Sequence, residues 1–282
     1  MAGSTFQTNP YDLRDLLKNC HRGVIQLPDF QRSWVWDEDR IKSLIASISR
    51  AFPVGALMTL RTGGPVRFQP RPIEGAPAEA KSAAPDELLL DGQQRMTSLY
   101  QATIRGKVVE ALSSKNKKIK RWFYIDIRKA MDPALDREEA ILSVPEDRII
   151  RAHFNRDVVL DLSSPAREYQ ELMYPVCQVF DWDEWQDGFS EHWRGDQNYA
   201  TQKLFKDFKR EILENFKGYR LPVIALDKST SKEAVCVVFE KVNTKGKALD
   251  AFELVTAMYA ASGHELRRIG TATSIHRAAI TG

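Results

Sequence analysis

Apolar positions along this chain follow two rhythms, a spacing near 3.6 residues and short unbroken runs, and these mark out its elements. Leu13, Leu16 and Leu17 share one helical face. Asn9 and Pro10 stand where a cap and a first helical residue belong, and 19–23 closes the helix. The run 24–28 reads as a short strand. Asp37 caps a helix whose Ile41, Leu44, Ile45 and Ile48 keep the i, i+3, i+4, i+7 spacing, and Phe52 and Pro53 end it. Residues 55–60 and 88–90 are apolar enough for buried strands. Met96, Leu99, Tyr100 and Thr103 then predict a helix over 93–105. Residues 122–127 are strongly β-prone. Leu204, Phe205, Phe208, Ile212, Leu213 and Phe216 predict a helix over 198–217, closed by Gly218. A strand follows at 221–226, where Pro222 implies an edge strand or a proline at the strand's start. Thr230 and Glu233 form a capping box ahead of a helix carrying Val235, Val238, Phe239 and Val242. Asn243 to Gly246 is a turn. Asp250 and Glu253 repeat the capping pattern before a last helix with Leu254, Val255, Met258 and Tyr259.

Three intervals lack either rhythm. Residues 62–86 are rich in Pro, Gly and Ala and read as a long flexible loop or a variable insertion. Residues 107–120 carry Lys115, Lys117, Lys118 and Lys120 and read as a solvated loop, with phosphate contact as the alternative. Residues 131–195 are broken by Pro145, Pro165 and Pro175. Within them Phe180, Trp182 and Trp185 suggest an aromatic cap on the core. Asp181, Asp183 and Glu184 alternate with those rings without a histidine at ligand spacing, so no metal site is read there. After about residue 266 no clean period remains, and the helix pair before it looks like the middle of something larger, as in a truncated or altered C-terminus. The pattern as a whole is α+β, a mixed sheet with flanking helices and a helical C-terminal part. It divides into a core over 1–130, an irregular and helical insertion or cap over 131–218, a closing strand and helix pair over 219–262, and an atypical tail over 263–282.

Composition narrows this little. The 282 residues are 43% hydrophobic and 28% charged, ordinary for a globular protein. A net charge of +3 neither implies nor excludes nucleic acid, because a local basic patch matters more than the total. No apolar run of about 18 residues reads as a membrane span, and no secretory signal is visible. Cys20, Cys177 and Cys236 lie far apart, which argues against a disulfide framework or zinc site and for the cytoplasm.

The chemistry concentrates in two stretches. Asp91-Gly92-Gln93-Gln94-Arg95 sits between the 88–90 strand and the 93–105 helix. A helix start offers free backbone N–H groups and a positive dipole end, so it suits a phosphate. Arg95 can add a bidentate fork. Asp91 and the two glutamines can hold a metal-bound or attacking water. Equally, Asp-Gly is a common turn, and Asp91 can be a helix cap and nothing more. The second stretch, Phe30-Gln31-Arg32-Ser33-Trp34-Val35-Trp36, packs aromatic, amide and guanidinium groups together. Trp34 and Trp36 alternate, and at least one belongs to the core on the bland reading.

Residues 26–36, the Asp91–Arg95 turn and the stretch Phe239-Glu240-Lys241-Val242-Asn243-Thr244-Lys245-Gly246, with Leu249 and Phe252 to Leu254 after it, together resemble the N-terminal domain of GmrSD-type modification-dependent restriction endonucleases. The resemblance covers about 11–259. It implies a ParB- and sulfiredoxin-like nucleotide-binding fold and hydrolysis of GTP or another NTP with Mg2+. It implies a role in phage defence against modified or foreign DNA. In these terms Asp91, Gln93, Gln94 and Arg95 are catalytic, with Asp91 on the metal, and Gly92, Arg32 and Asn243 bind the nucleotide. Asn243 is otherwise a turn former. Phe30, Gln31, Arg32 and Trp34 map to the DNA-sensing stretch, with Phe30 where other members carry tyrosine. The nuclease domain usual in such proteins is of the His-Asn-His type, and no such cluster is visible, which points to a separate nuclease subunit or a missing C-terminal nuclease domain. Self-association stays open. The competing readings are a non-enzymatic DNA-binding module or regulatory subunit, and, last, a nuclease.

Overall fold

The computed structural model of the chain describes residues 6–242, apart from 35, 114, 116, 154 and 155. The elements run β1 (Phe6–Asp12), α1 (Leu13–Arg22), β2 (Ile25–Pro28), α2 (Glu38–Ser49), β3 (Leu57–Arg61), β4 (Pro70–Arg71), β5 (Glu87–Asp91) and α3 (Gln93–Thr103). They continue with β6 (Val109–Leu112), β7 (Lys118–Asp126), α4 (Ile127–Ala130), β8 (Ile141–Pro145), β9 (Ile149–Ala152), β10 (Asp157–Asp161), α5 (Pro165–Glu171) and β11 (Met173–Pro175). The last are α6 (Asp183–His192), α7 (Tyr199–Phe208), α8 (Glu214–Lys217), β12 (Arg220–Leu226) and α9 (Lys232–Val242). The fold is α+β.

A mixed six-stranded sheet runs β1-β12-β3-β5-β2-β4. β12 pairs antiparallel with β1 and parallel with β3, while β5 pairs antiparallel with β3 and parallel with β2. Both faces are covered, and the strand period of two sorts the side chains. Leu57 and Leu89 point into the main core with α1, α2 and α3. Met58, Leu60, Leu88 and Leu90 point to the other face, where Val66, Phe68 and Val235 close over them. This double burial explains the unbroken apolar run of β5. A second sheet is organised on β7, which pairs with β8 along one edge and with β6 and then β11 along the other.

Several expectations change. Asn9 and Pro10 are not a helix start. They lie in β1, opposite Val223 and Pro222, and Asp12 caps α1 by accepting from the Arg14 N–H at 3.0 Å. An edge strand tolerates the proline because no ladder bond is lost on the open side. β12 itself is interior to the sheet, and Pro222 precedes the first residue paired with β3. Residues 62–86 are packed rather than loose. Val66, Phe68, Ile73 and Ala80 are buried, and the Gln26 amide donates to the carbonyls of Gly23, Ala80 and Ala83 at 2.9–3.0 Å. A strand of two residues and a single 3₁₀ turn leave no periodic signature, which is why composition misleads there. Residues 107–120 form the β6–β7 hairpin, whose exposed lysines hide its alternation.

The helix read over 198–217 divides into α7, a π-turn at Lys209–Leu213, and α8. Phe180, Trp182 and Trp185 do join the core, together with Phe189, Phe205, Phe208 and Phe216. The cap of α9 is Ser231, which accepts from the Ala234 N–H at 3.2 Å, whereas the Thr230 hydroxyl is buried and donates to the Asp227 carbonyl. Among the described residues no helix is long and apolar enough to cross a membrane.

Candidate functional site

The site is built where β5 turns into α3. Gly92 adopts φ 92°, and a Cβ there would stand 2.3 Å from the Leu57 side chain, so the sharp turn requires glycine. Met96, Leu99 and Tyr100 anchor α3 in the core on the face that the sequence pattern picked out. No side chain caps the helix start. The first-turn N–H groups of Gln93, Gln94 and Arg95 therefore keep the anion-binding character of a helix N-terminus.

Arg95 is only partly exposed, and its fork is engaged. Nη1 donates to the Val54 carbonyl at 2.7 Å, and Nη2 donates to the Ala56 carbonyl at 2.8 Å and to the Asp91 carboxylate at 3.3 Å. Gly55 runs so close beneath that a Cβ would stand 2.8 Å from Nη1. Arg95 thus clamps the segment leading into β3.

The other stretch is laid directly over the turn. The buried Gln31 amide donates to the Leu89 and Leu90 carbonyls at 2.7 and 3.0 Å. Gln93 donates to the Arg32 carbonyl at 2.7 Å and Gln94 to the Ser33 carbonyl at 3.3 Å. Arg71 binds the carbonyls of Gln31 and Arg32 from the opposite side and pairs with Glu74 at 3.2 Å. The Trp34 indole donates to Ser98 at 2.9 Å, and its backbone N–H donates to Glu74. Phe30 packs edge-on against Phe68 at 5.0 Å, and its neighbour Arg32 is exposed. Among the described residues the Arg32 guanidinium has no hydrogen-bond or ion-pair partner.

The structure therefore brings together Phe30, Gln31, Arg32, Trp34, Asp91, Gly92, Gln93, Gln94 and Arg95. Asn243, the turn that holds it and the helix after that turn lie outside the described residues. Arg71, Glu74 and Ser98 complete the cluster and are not singled out by the sequence pattern. The first two fall in the stretch whose composition reads as a loop. Among the described residues no three His, Cys, Asp or Glu side chains group as a metal cage. Asp91, about one-third exposed, supplies a single carboxylate. That suits Mg2+ held mostly by waters and substrate phosphates, its usual mode beside a nucleotide.

The family described as "GmrSD restriction endonuclease, N-terminal domain" matches residues 13–260. An uncharacterized protein of Methanocaldococcus jannaschii is 26% identical over 257 residues, covering 88% of this chain and 41% of that protein. The chain thus spans about two fifths of the length of that curated relative.

Proposed function

The chain belongs to the GmrSD restriction endonuclease N-terminal domain family, a module of restriction systems, and on that premise we propose that it is the NTP-binding and hydrolysing sensor part of a modification-dependent DNA restriction system. Its DNA-cutting activity would come from a nuclease domain or subunit beyond these residues, and its DNA target would be modified or foreign. The observation that carries the reading is the uncapped start of α3, reached through the left-handed Gly92, with the exposed Arg32 guanidinium on the segment hydrogen-bonded across it.

Each side chain then has a role. The Gln93, Gln94 and Arg95 N–H groups receive phosphate oxygens, and Arg32 neutralises them. Asp91 holds Mg2+, which supplies charge neutralisation on the phosphates when bound. Gln93 and Gln94 hold the Arg32 backbone segment over the turn and leave their amide oxygens as acceptors for water. Arg95 fixes the wall of the site by its grip on Val54 and Ala56.

A thermal-shift series of NTPs with and without Mg2+ tests this, because a ligand that binds only the folded state raises the melting temperature by mass action. Released phosphate measures turnover. A rise with NTP and Mg2+ together, lost in Arg32→Ala, is expected. No heat of binding for any NTP in calorimetry would remove the nucleotide reading and leave a DNA-binding module whose affinity depends on salt but not on NTP.

A further inference from the structure

A cavity of about 600 Å³ lies away from the helix start, between the C-terminal half of α3 and the β6–β7 hairpin. Gln101, on its wall, stands eight residues beyond Gln93, about 12 Å along the helix axis. The volume is that of a small-ligand site.

Its lining has two characters. Trp34 and Trp36 give aromatic walls, and the Trp34 indole is fixed by Ser98. Glu74 gives a buried acceptor. Its Oε1 already receives the Trp34 N–H and Arg71, but its Oε2 is buried with no hydrogen-bond partner among the described residues. Such an oxygen is costly unless a donor meets it. At the mouth stand Arg105 and the exposed Lys118 and Lys120, the two lysines one strand period apart on β7.

We infer that this cavity takes one nucleobase carrying an exocyclic amine, with the attached phosphate on the Lys118–Lys120 rim. Indoles stack on a base face whatever its identity. A carboxylate oxygen accepts from an amine such as the cytosine N4 group. Thymine is refused, because its one ring N–H is flanked by carbonyl oxygens that a carboxylate repels. Lysines one period apart track a backbone phosphate, and the phosphate is the salt-dependent part of the binding. This assignment does not depend on nucleotide chemistry at Gly92. The base can come from a free nucleotide or from an unpaired position in a strand, since both present the same edge and phosphate.

The test uses the whole chain and fluorescence anisotropy with single-stranded dC and dT dodecamers at neutral pH, with dCMP and dTMP as competitors. The dC strand is expected to bind at least about tenfold tighter than the dT strand, the value of one hydrogen bond to a charged group. Glu74→Gln keeps one carbonyl oxygen for Trp34 and Arg71 but replaces the free acceptor with a donor. It is expected to level the two strands without shifting the melting temperature by more than a few degrees. Lys118→Ala with Lys120→Ala is expected to weaken both strands and flatten the salt dependence. Displacement of the dC strand by dCMP, but not by dTMP, identifies a free nucleotide as occupant, and strand-only binding identifies an unpaired base. Equal affinity for dC and dT strands, full preference in Glu74→Gln, or no binding of any of these probes would overturn the assignment.

Discussion

The Arg95 guanidinium stands 3.3 Å from the carboxylate of Asp91, four residues earlier, and reaches past it to the carbonyls of Val54 and Ala56. The pair closes a bracket around the turn at Gly92. A residue whose type and position suggest a phosphate ligand is thereby a fastener of the strand that lies beside the site.

Arg95→Ala is therefore expected to destabilise the fold, not only to weaken nucleotide binding. It strands two backbone carbonyls and one carboxylate, at about 2–4 kcal/mol for the set. Arg95→Lys is expected to recover less than half, since one ammonium cannot reproduce the fork. Urea unfolding midpoints of the two variants check this. Unchanged midpoints in both would mean that the clamp carries no stability.

Arg32→Ala makes the opposite case. The side chain is exposed and, among the described residues, holds nothing. A stability change within about 0.5 kcal/mol is expected. Nucleotide affinity is expected to fall tenfold or more, as for loss of a charge-assisted contact. If Arg32 instead meets a DNA phosphate, the slope of log affinity against log salt falls by about one and NTP binding is unchanged. The two titrations separate these outcomes.

The three cysteines differ in reach. Burial pushes the Cys20 thiol up to about 12, and burial with the Glu168 charge pushes Cys177 up to about 11. Cys236 is partly exposed and is raised chiefly by desolvation. Since the thiolate is the reactive form, iodoacetamide at pH 8 is expected to label Cys236 first, Cys177 slowly, and Cys20 only after denaturation. Peptide mapping by mass spectrometry reads the order. Native labelling of Cys20 at the rate of Cys236 would show that α1 opens far more readily than its packing implies.

How much of this was legible in the sequence depends on distance along the chain. The β5–turn–α3 unit was readable because Leu88, Leu90, Gly92, Met96 and Leu99 act within one turn or one strand period of each other. The covered face of β5 was not, because Val66 and Phe68 lie in a stretch too irregular to show a period. Arg95 was read as an oxyanion partner because its real partners are 41 and 39 residues away. The joining of the two motif stretches had the same cause, since Gln93 reaches Arg32 across 61 residues. The Gln31–Leu89 bond, across 58 residues, is likewise a tertiary fact. Lysines on the outer face of β7 concealed a strand that cross-strand pairing makes plain.

Glu168 supplies the pH-dependent prediction. It is buried between the second sheet and the aromatic cluster, where it accepts from the Tyr124 hydroxyl at 2.8 Å and the Trp185 indole at 3.0 Å, with Arg148 at 3.4 Å. Burial raises its pKa, and the two hydrogen bonds and the Arg148 charge only partly oppose this. The folded state therefore holds the proton more tightly than the unfolded chain. By linkage its contribution to stability is largest in acid and declines as pH rises from the ordinary carboxylate value through the raised one. Tyr124, Tyr174 and Cys177, the other titratable groups whose values its charge influences, are themselves held high, above neutral pH, and do not blur that window. Glu168→Gln removes the titration but sets an amide N–H₂ against one of the two donors, at about 1–3 kcal/mol. The melting-temperature gap between the wild-type chain and Glu168→Gln is expected to be widest near pH 4.5 and to narrow towards pH 8. A gap that widens with pH would mean that the Arg148 charge outweighs burial and that the carboxylate, not the acid, is the form the fold prefers.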